Sequence, residues 1–355
     1  MTHLRRSKGL HQIQGFSLIE LMVSLTIGLV IVVAAMSAYL GAAGAGKMSE
    51  AQSRMNEDAQ AALSILTQQI RMAGNNPGQT NRVMDATPSL SSSHNPVYLP
   101  TPTYAGFTLA PTSFTLAAFS IRGCDGKFSN ITSTTSTLDT LDASSCVSGT
   151  STLPTDSIAI NYEADQFNTL PTDTGNKPTD CLGSGLTTVT ATVPTFVVVS
   201  PSTTATTSTT AVTYTVAENR FFIGTSTAIV TPSLYCKGNG GGGLNAQQPL
   251  VENVEDMQFT YGTMSTTTTS TTATVAGYLR ADEVDGLGTT PADAATRWSK
   301  VLTVRICILV RSASQVVSDT ASAKYYNCAG TLLSPSDRYL RRAYSTTVVL
   351  RNRRL

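Results

Sequence analysis

The sequence predicts an α+β protein, with one long N-terminal helix whose second half packs on an antiparallel β-sheet head carrying long loops. Three observations predict it. A sustained apolar run occupies residues 16–46. It passes without a break into a stripe of apolar residues at helical spacing. Beyond Gly74, short β-rich segments alternate with Ser/Thr tracts and turn residues.

The apolar run contains one carboxylate, Glu20, and ends at Lys47. Leu21 to Gly46 carries no formal charge, and at about 1.5 Å rise per residue it covers the roughly 30 Å of a bilayer core. Arg5, Arg6 and Lys8 precede it, so the positive-inside rule keeps the N-terminus cytoplasmic and sends the bulk of the chain across. A secretory signal is cut behind its apolar segment. Here the candidate junction, Gly15–Phe16, lies ahead of it, so the helix stays with the mature chain. Removing residues 1–15 takes the formal charge from +1 to −2. A carboxylate near the start of a membrane helix is costly. Glu20 either snorkels to the interface or finds a cation in an apolar assembly. Cleavage after Gly15 supplies one, the α-ammonium of Phe16, and such a contact would fix the axial register of one subunit against the next.

From Lys47 to Ala73, apolar residues fall at Met48, Ala51, Met55, Ala59, Ala62, Leu63, Leu66, Ile70 and Ala73. Steps of three and four make one stripe, opposite Glu50, Arg54, Glu57, Asp58 and Gln68. Gly74-Asn75-Asn76-Pro77-Gly78 stops the helix, which runs for roughly 58 residues. The expected organisation is a leader over 1–15, a membrane and filament-core helix over 16–46, its amphipathic continuation over 47–74, and an extracytoplasmic β-rich head over 75–355. Strands are expected over 156–162, 188–199, 212–216, 220–223, 257–261, 301–310 and 344–351. The segment 301–310 reads as a central strand in which Arg305 needs an explanation. Ser/Thr tracts at 132–137, 202–210 and 265–272 and the glycine run at 240–243 are expected to be exposed or mobile loops.

Cys124, Cys146, Cys181, Cys236, Cys307 and Cys328 all lie beyond the apolar run, with no CxxC pair and no metal-ligand spacing. Scattered cysteines on the far side of a membrane read as disulfides. Neighbours in sequence are the preferred pairing, Cys124–Cys146, Cys181–Cys236 and Cys307–Cys328, with buried free thiols as the alternative. His3, His11 and His94 are the only histidines, and two fall in the leader, which argues against His-based catalysis or metal binding. Asp282, Glu283 and Asp285 before Gly286 faintly resemble a calcium loop, although a solvated acidic turn explains them better. Arg351, Arg353 and Arg354 read as a solvated tail. Charged residues are only 13% of the chain, too few and too balanced to draw nucleic acid by net field. No cofactor motif and no catalytic constellation is present, so neither a small-molecule substrate nor an enzyme is expected.

Gly15-Phe16-Ser17-Leu18-Ile19-Glu20-Leu21 resembles the class III signal of type IV pilins and type II secretion pseudopilins. The resemblance implies a prepilin peptidase that cuts after Gly15 and methylates Phe16, and a Glu20 that pairs with a neighbour's N-terminus. Leu250–Gly262, Val304–Ser312, Arg338–Arg342 and the run Thr346–Arg353 resemble the PilW family of minor pilins. That resemblance implies a non-catalytic protein of the inner membrane and pilus of a Gram-negative bacterium. It would prime pilus assembly near the tip with other minor pilins, the major pilin and the inner-membrane assembly platform, in support of twitching motility, adhesion or DNA uptake. A minor pseudopilin of type II secretion and a membrane-anchored adhesin are the alternatives.

Overall fold

The computed structural model describes residues 17–75, 103–104, 107–108, 120–128, 146–147, 155–197, 206–227, 229–242, 247–264, 274–287, 297–298 and 300–352. The chain divides into two units, residues 1–51 and 52–355.

One helix, α1 (Leu18–Met72), runs through the boundary. Within the first unit its apolar side chains face outward, Leu18, Val30 and Leu40 among them. The hydroxyls of this stretch bond to their own helix. Ser24 Oγ donates to Leu21 O at 3.0 Å, Thr26 Oγ1 to Val23 O at 2.8 Å and Ser37 Oγ to Ala34 O at 2.9 Å. Polar groups satisfied inside the segment suit a helix surrounded by hydrocarbon.

The second unit begins with the rest of α1. Met55, Ala59, Ala62, Leu66, Ile70 and Ala73 are all buried, which is the expected stripe. The helix ends at Gly74, whose φ of 76° is the left-handed conformation that glycine supplies without strain. Gly74 N donates to Asn161 O and Glu163 N donates to Asn75 O, both at 3.0 Å, so the helix end is bonded to a strand.

The strands follow in chain order: β1 (Thr103–Tyr104), β2 (Phe107–Thr108), β3 (Ile121–Cys124), β4 (Lys127–Phe128), β5 (Cys146–Val147) and β6 (Ser157–Glu163). Next come β7 (Thr188–Val197), β8 (Thr206–Gly224), β9 (Ser233–Lys237), β10 (Gln248–Glu252) and β11 (Val254–Met264). After β12 (Val275–Leu279) and a one-turn helix α2 (Ala281–Asp285), the chain forms β13 (Val301–Gln315), β14 (Tyr325–Tyr326), β15 (Leu332–Leu333) and β16 (Tyr339–Val349). Two antiparallel sheets dominate. The first has the order β10-β9-β8-β6-β3, with β7 pairing the outer half of β8. The second has the order β12-β11-β13-β16.

One core joins the second half of α1 to both sheets: Ile158, Ile160 and Phe221 from the first, Phe259, Val304, Ile306, Ile308 and Val348 from the second. Alternation along β13 sends Val304, Ile306, Ile308 and Val310 inward and Arg305 outward. There the Arg305 guanidinium stacks 4.1 Å from the Tyr278 ring centre, which accounts for a charge inside an otherwise apolar strand.

Asn253 alone separates β10 from β11, and it carries the chain from one sheet to the other with φ 65°. Its carbonyl accepts Arg311 N at 2.9 Å and its Nδ2 donates to Asp58 Oδ2 on α1 at 3.2 Å. A short polar side chain that tolerates the left-handed region and can bond locally is what such a corner requires.

Two expectations are corrected, and the acidic turn can be described. Residues 206–210 are strand, since β8 starts at Thr206 and also absorbs 212–216 and 220–223 into one element. Gly240–Gly242 form a tight turn rather than a slack loop: Gly240 N donates to Asp180 Oδ2 at 2.8 Å, and a Cβ there would overlap the Ser184 carbonyl. Asp282, Glu283 and Asp285 do not converge. Asp282 pairs with Arg280, Glu283 accepts Arg280 N, and Asp285 accepts Trp298 Nε1 at 2.7 Å. The tracts 132–137 and 265–272 and all three histidines lie outside the described residues.

Candidate functional site

The region that could drive assembly is the start of α1. Glu20 sits in its first turn, where the exposed backbone N–H groups and the helix dipole favour a negative group. Its Oε2 accepts Ser17 N at 3.2 Å, while Leu21 N donates to Ser17 O at 3.1 Å. The carboxylate therefore caps its own helix. Gly15 and Phe16, the expected cleavage pair, lie outside the described residues. Gly28, Gly41, Gly44 and Gly46 stand in the helix with no neighbouring atom within 4 Å of a Cβ. Each costs about 1 kcal/mol of helix propensity relative to alanine, with no return from packing inside the chain.

In the head, sequence segments far apart are brought together. Glu255 of β11 faces Arg341 of β16: Arg341 Nε donates to Glu255 Oε2 at 2.6 Å and Nη2 to Glu255 Oε1 at 3.0 Å. The same guanidinium reaches Asp337 with both Nη atoms, at 2.5 and 2.7 Å, and Arg311 Nη1 adds a third cation contact to Glu255 at 3.2 Å. Bidentate geometry on two carboxylates fixes planar orientation as well as charge. Hydrogen bonding to Arg341 holds the Asp337 carboxyl below the usual carboxylate range. Tyr339 stacks against Arg311 at 4.4 Å, and Tyr344 Oη donates to Asn56 Oδ1 on α1 at 2.6 Å. The parts of the expected segments that lie in β11 (254–262), β13 (304–312) and β16 (339–342) thus form one neighbourhood on three adjacent strands.

The head also holds buried polar groups that sequence reading did not single out. Glu218 and Arg220 form an ion pair with both side chains fully buried. Between them in sequence, Asn219 bonds Gln69 at 2.8 Å and Tyr162 at 3.2 Å. Asp156 is 4% exposed; its Oδ2 accepts Phe259 N at 2.8 Å from the opposite sheet. Burial, with the Asp125 and Asp256 carboxylates adding to it, pushes the Asp156 carboxyl up to about 8. Burial also raises the Tyr261 phenol, with the Asp156, Asp285 and Asp125 carboxylates adding to it, and the ring packs edge-on against Trp298 at 4.8 Å. Three disulfides staple the head: Cys124–Cys146, Cys181–Cys236 and Cys307–Cys328, with Cα separations of 5.5, 6.5 and 5.7 Å. Among the described residues no three His, Cys, Asp or Glu side chains are grouped as metal ligands.

A helix with an outward apolar half, a carboxylate in its first turn and a second half buried under a disulfide-stapled sheet defines a type IV pilin-like protein. The prokaryotic N-terminal methylation motif matches residues 10–36, and the family described as type IV pilus-assembly protein W matches residues 220–352. Over residues 220–352 the chain is similar to that family, and with the methylation motif the match supports a PilW-type minor pilin. Among solved structures, a type IV-like pilin from Thermus thermophilus aligns with 56% of this chain and 80% of its own, at 13% identity and a TM-score of 0.23. No curated protein matches the chain. The family is one of structural pilins that take part in pilus assembly. Its segment 220–352 runs from the last residues of β8 (220–224) through β16, including the Asn253 corner and the Glu255–Arg341 contact.

Proposed function

We propose that the protein primes type IV pilus assembly from the inner membrane of a Gram-negative bacterium and is carried at or near the pilus tip, with its head in the periplasm before export. The observation that carries this reading is the first half of α1, a surface of exposed apolar side chains whose sole carboxylate is Glu20. In the membrane that surface faces lipid; in a filament it faces the same surface of neighbouring subunits. Gly15 would direct the peptidase, Phe16 would become the methylated N-terminus, and Glu20 would exchange its Ser17 amide for a neighbour's α-ammonium. That exchange trades a hydrogen bond from an uncharged amide for an ion pair with a charged donor in a low-dielectric setting, and so favours the assembled register. The helix glycines support the same reading, because small residues let helix backbones approach closely. Other minor pilins, the major pilin and the assembly platform are the partners this reading requires.

The test is the mass and N-terminal sequence of the protein from cells with and without prepilin peptidase, together with pilus counts for a deletion strain. The expected result is a chain starting at methylated Phe16 only when the peptidase is present, and a more than tenfold loss of pili on deletion. A chain that keeps residues 1–15 in peptidase-positive cells, or normal pili without it, overturns the proposal.

A further inference from the structure

We propose that the loop from Ala164 to Leu186 is a docking knob: it holds Phe167 and Leu170 in water for insertion into an apolar pocket, rimmed by cations, on a partner protein. The inference rests on the minor-pilin reading and names the surface through which the head joins its complex.

Phe167 and Leu170 are 86% and 82% exposed, the two most exposed large hydrophobic residues among those described, ahead of every residue of the apolar helix. A single exposed apolar side chain is ordinary. Two of them three residues apart, on backbone fixed from both sides, call for an explanation. Asp165 Oδ1 accepts Phe167 N at 2.7 Å and Asn168 N at 2.8 Å, and Asn168 Oδ1 accepts Asp165 N at 2.8 Å. Asn168 Nδ2 donates to Glu163 O at 2.8 Å, tying the turn to the end of β6. Thr169 Oγ1 donates to Asp165 O at 2.8 Å and accepts Thr179 N at 3.2 Å, while Thr179 Oγ1 donates to Leu170 O. Below the turn, the Cys181–Cys236 disulfide and the bonds that Leu182 N and Ser184 N donate to Asp180 Oδ1 hold the return arm of the loop. The two side chains are therefore presented on a prepared backbone, which removes much of the ordering cost that an exposed loop incurs on binding.

Charge decides the kind of partner. Within Ala164–Leu186 the charged side chains that reach solvent are Asp165 and Asp173 against Lys177; Asp180 is buried and spends both carboxylate oxygens on backbone amides. An acidic rim is repelled by anionic lipid headgroups and complements lysine and arginine around a protein pocket. The loop leaves the head where α1 stops, beside the bond from Glu163 N to Asn75 O.

The experiment places p-benzoylphenylalanine at Gln166, an exposed position that leaves Phe167 and Leu170 intact, in the full chain in piliated cells. Irradiation is expected to give one discrete protein adduct, cross-linked at a peptide that combines apolar residues with Lys or Arg. In the Phe167→Ser/Leu170→Ser background the adduct falls by about 100-fold if each side chain contributes about tenfold, and pili fall more than tenfold at unchanged chain level. Adducts to lipid alone, an adduct of equal yield in the double variant, or normal pili in that variant overturn the inference. Glu20→Ala is run alongside. If it also leaves pili normal, the minor-pilin reading fails; if it abolishes pili while the loop variant does not, the docking knob alone fails.

Discussion

Replacing Asp156 by asparagine tests whether a protonated carboxyl joins the two sheets. The folded chain holds the Asp156 proton up to about pH 8, whereas the ordinary carboxyl value is 3.8. Between those two values the folded state binds more protons than the unfolded state, so this group's contribution to stability is fully present near pH 3.8 and is lost as the pH rises through about 8. A separation of about four units at about 1.4 kcal/mol each caps the loss near 6 kcal/mol, and relaxation of a buried site brings the expected value to roughly 3 kcal/mol. The amide introduced by Asp156→Asn cannot ionise, and its oxygen can still accept Phe259 N. Urea midpoints by circular dichroism on the full mature chain in nonionic detergent, from pH 4.5 to about 8.5, give the comparison directly. Asp156→Asn should match the parent near pH 4.5 and exceed it progressively toward pH 8.5, by about 3 kcal/mol at the top. Parallel curves, or a variant weaker than the parent at pH 8.5, would refute the reasoning, because the carboxylate would then be the form the fold prefers.

Two further perturbations probe the head. Arg341→Met leaves Asp337 without its guanidinium and Glu255 with only Arg311, in a place where the Arg341 side chain is 6% exposed, so it should lower stability by about 3 kcal/mol in the same urea assay. Gly123→Ala drives a Cβ into Tyr261 Oη, whose ring is wedged against Trp298; overpacking of about 2 kcal/mol or more should appear as a lower melting temperature, with alanine tolerated only if Tyr261 moves.

How far the sequence was legible depended on whether a residue's environment is local. The α1 stripe could be read because residues three and four apart share a helix face whatever they pack against, and Met55, Ala59, Ala62, Leu66 and Ile70 are buried as that spacing requires. The β13 segment could be read because a continuous apolar run suits a central strand. The sequence splits β8 because Glu218 and Asn219 look like a polar break; in the fold Asn219 bonds Gln69, and Glu218 pairs with Arg220 two residues on. The strands β3 and β9 are too short to show a period. Asp156 gave no signal at all, since its burial comes from β11, and its partner Phe259 lies 103 residues away. Glu255 and Arg341 were legible only as parts of a family-like pattern, for their contact spans 86 residues and nothing in either segment names the other.

The corner at Asn253 has a mechanical consequence. In the proposed role as a pilus subunit, load would enter the head along α1, and Asp58 is a point where that helix grips the head through a side-chain bond to the residue shared by both sheets. Tension arriving there is divided at once between the β9–β10 ladder on one side and the β11–β13 ladder on the other, with Arg311 N holding the corner's own carbonyl. Neither sheet can be peeled away without straining the other, so the head should yield to a pull in a single step at high force rather than shed its strands one by one.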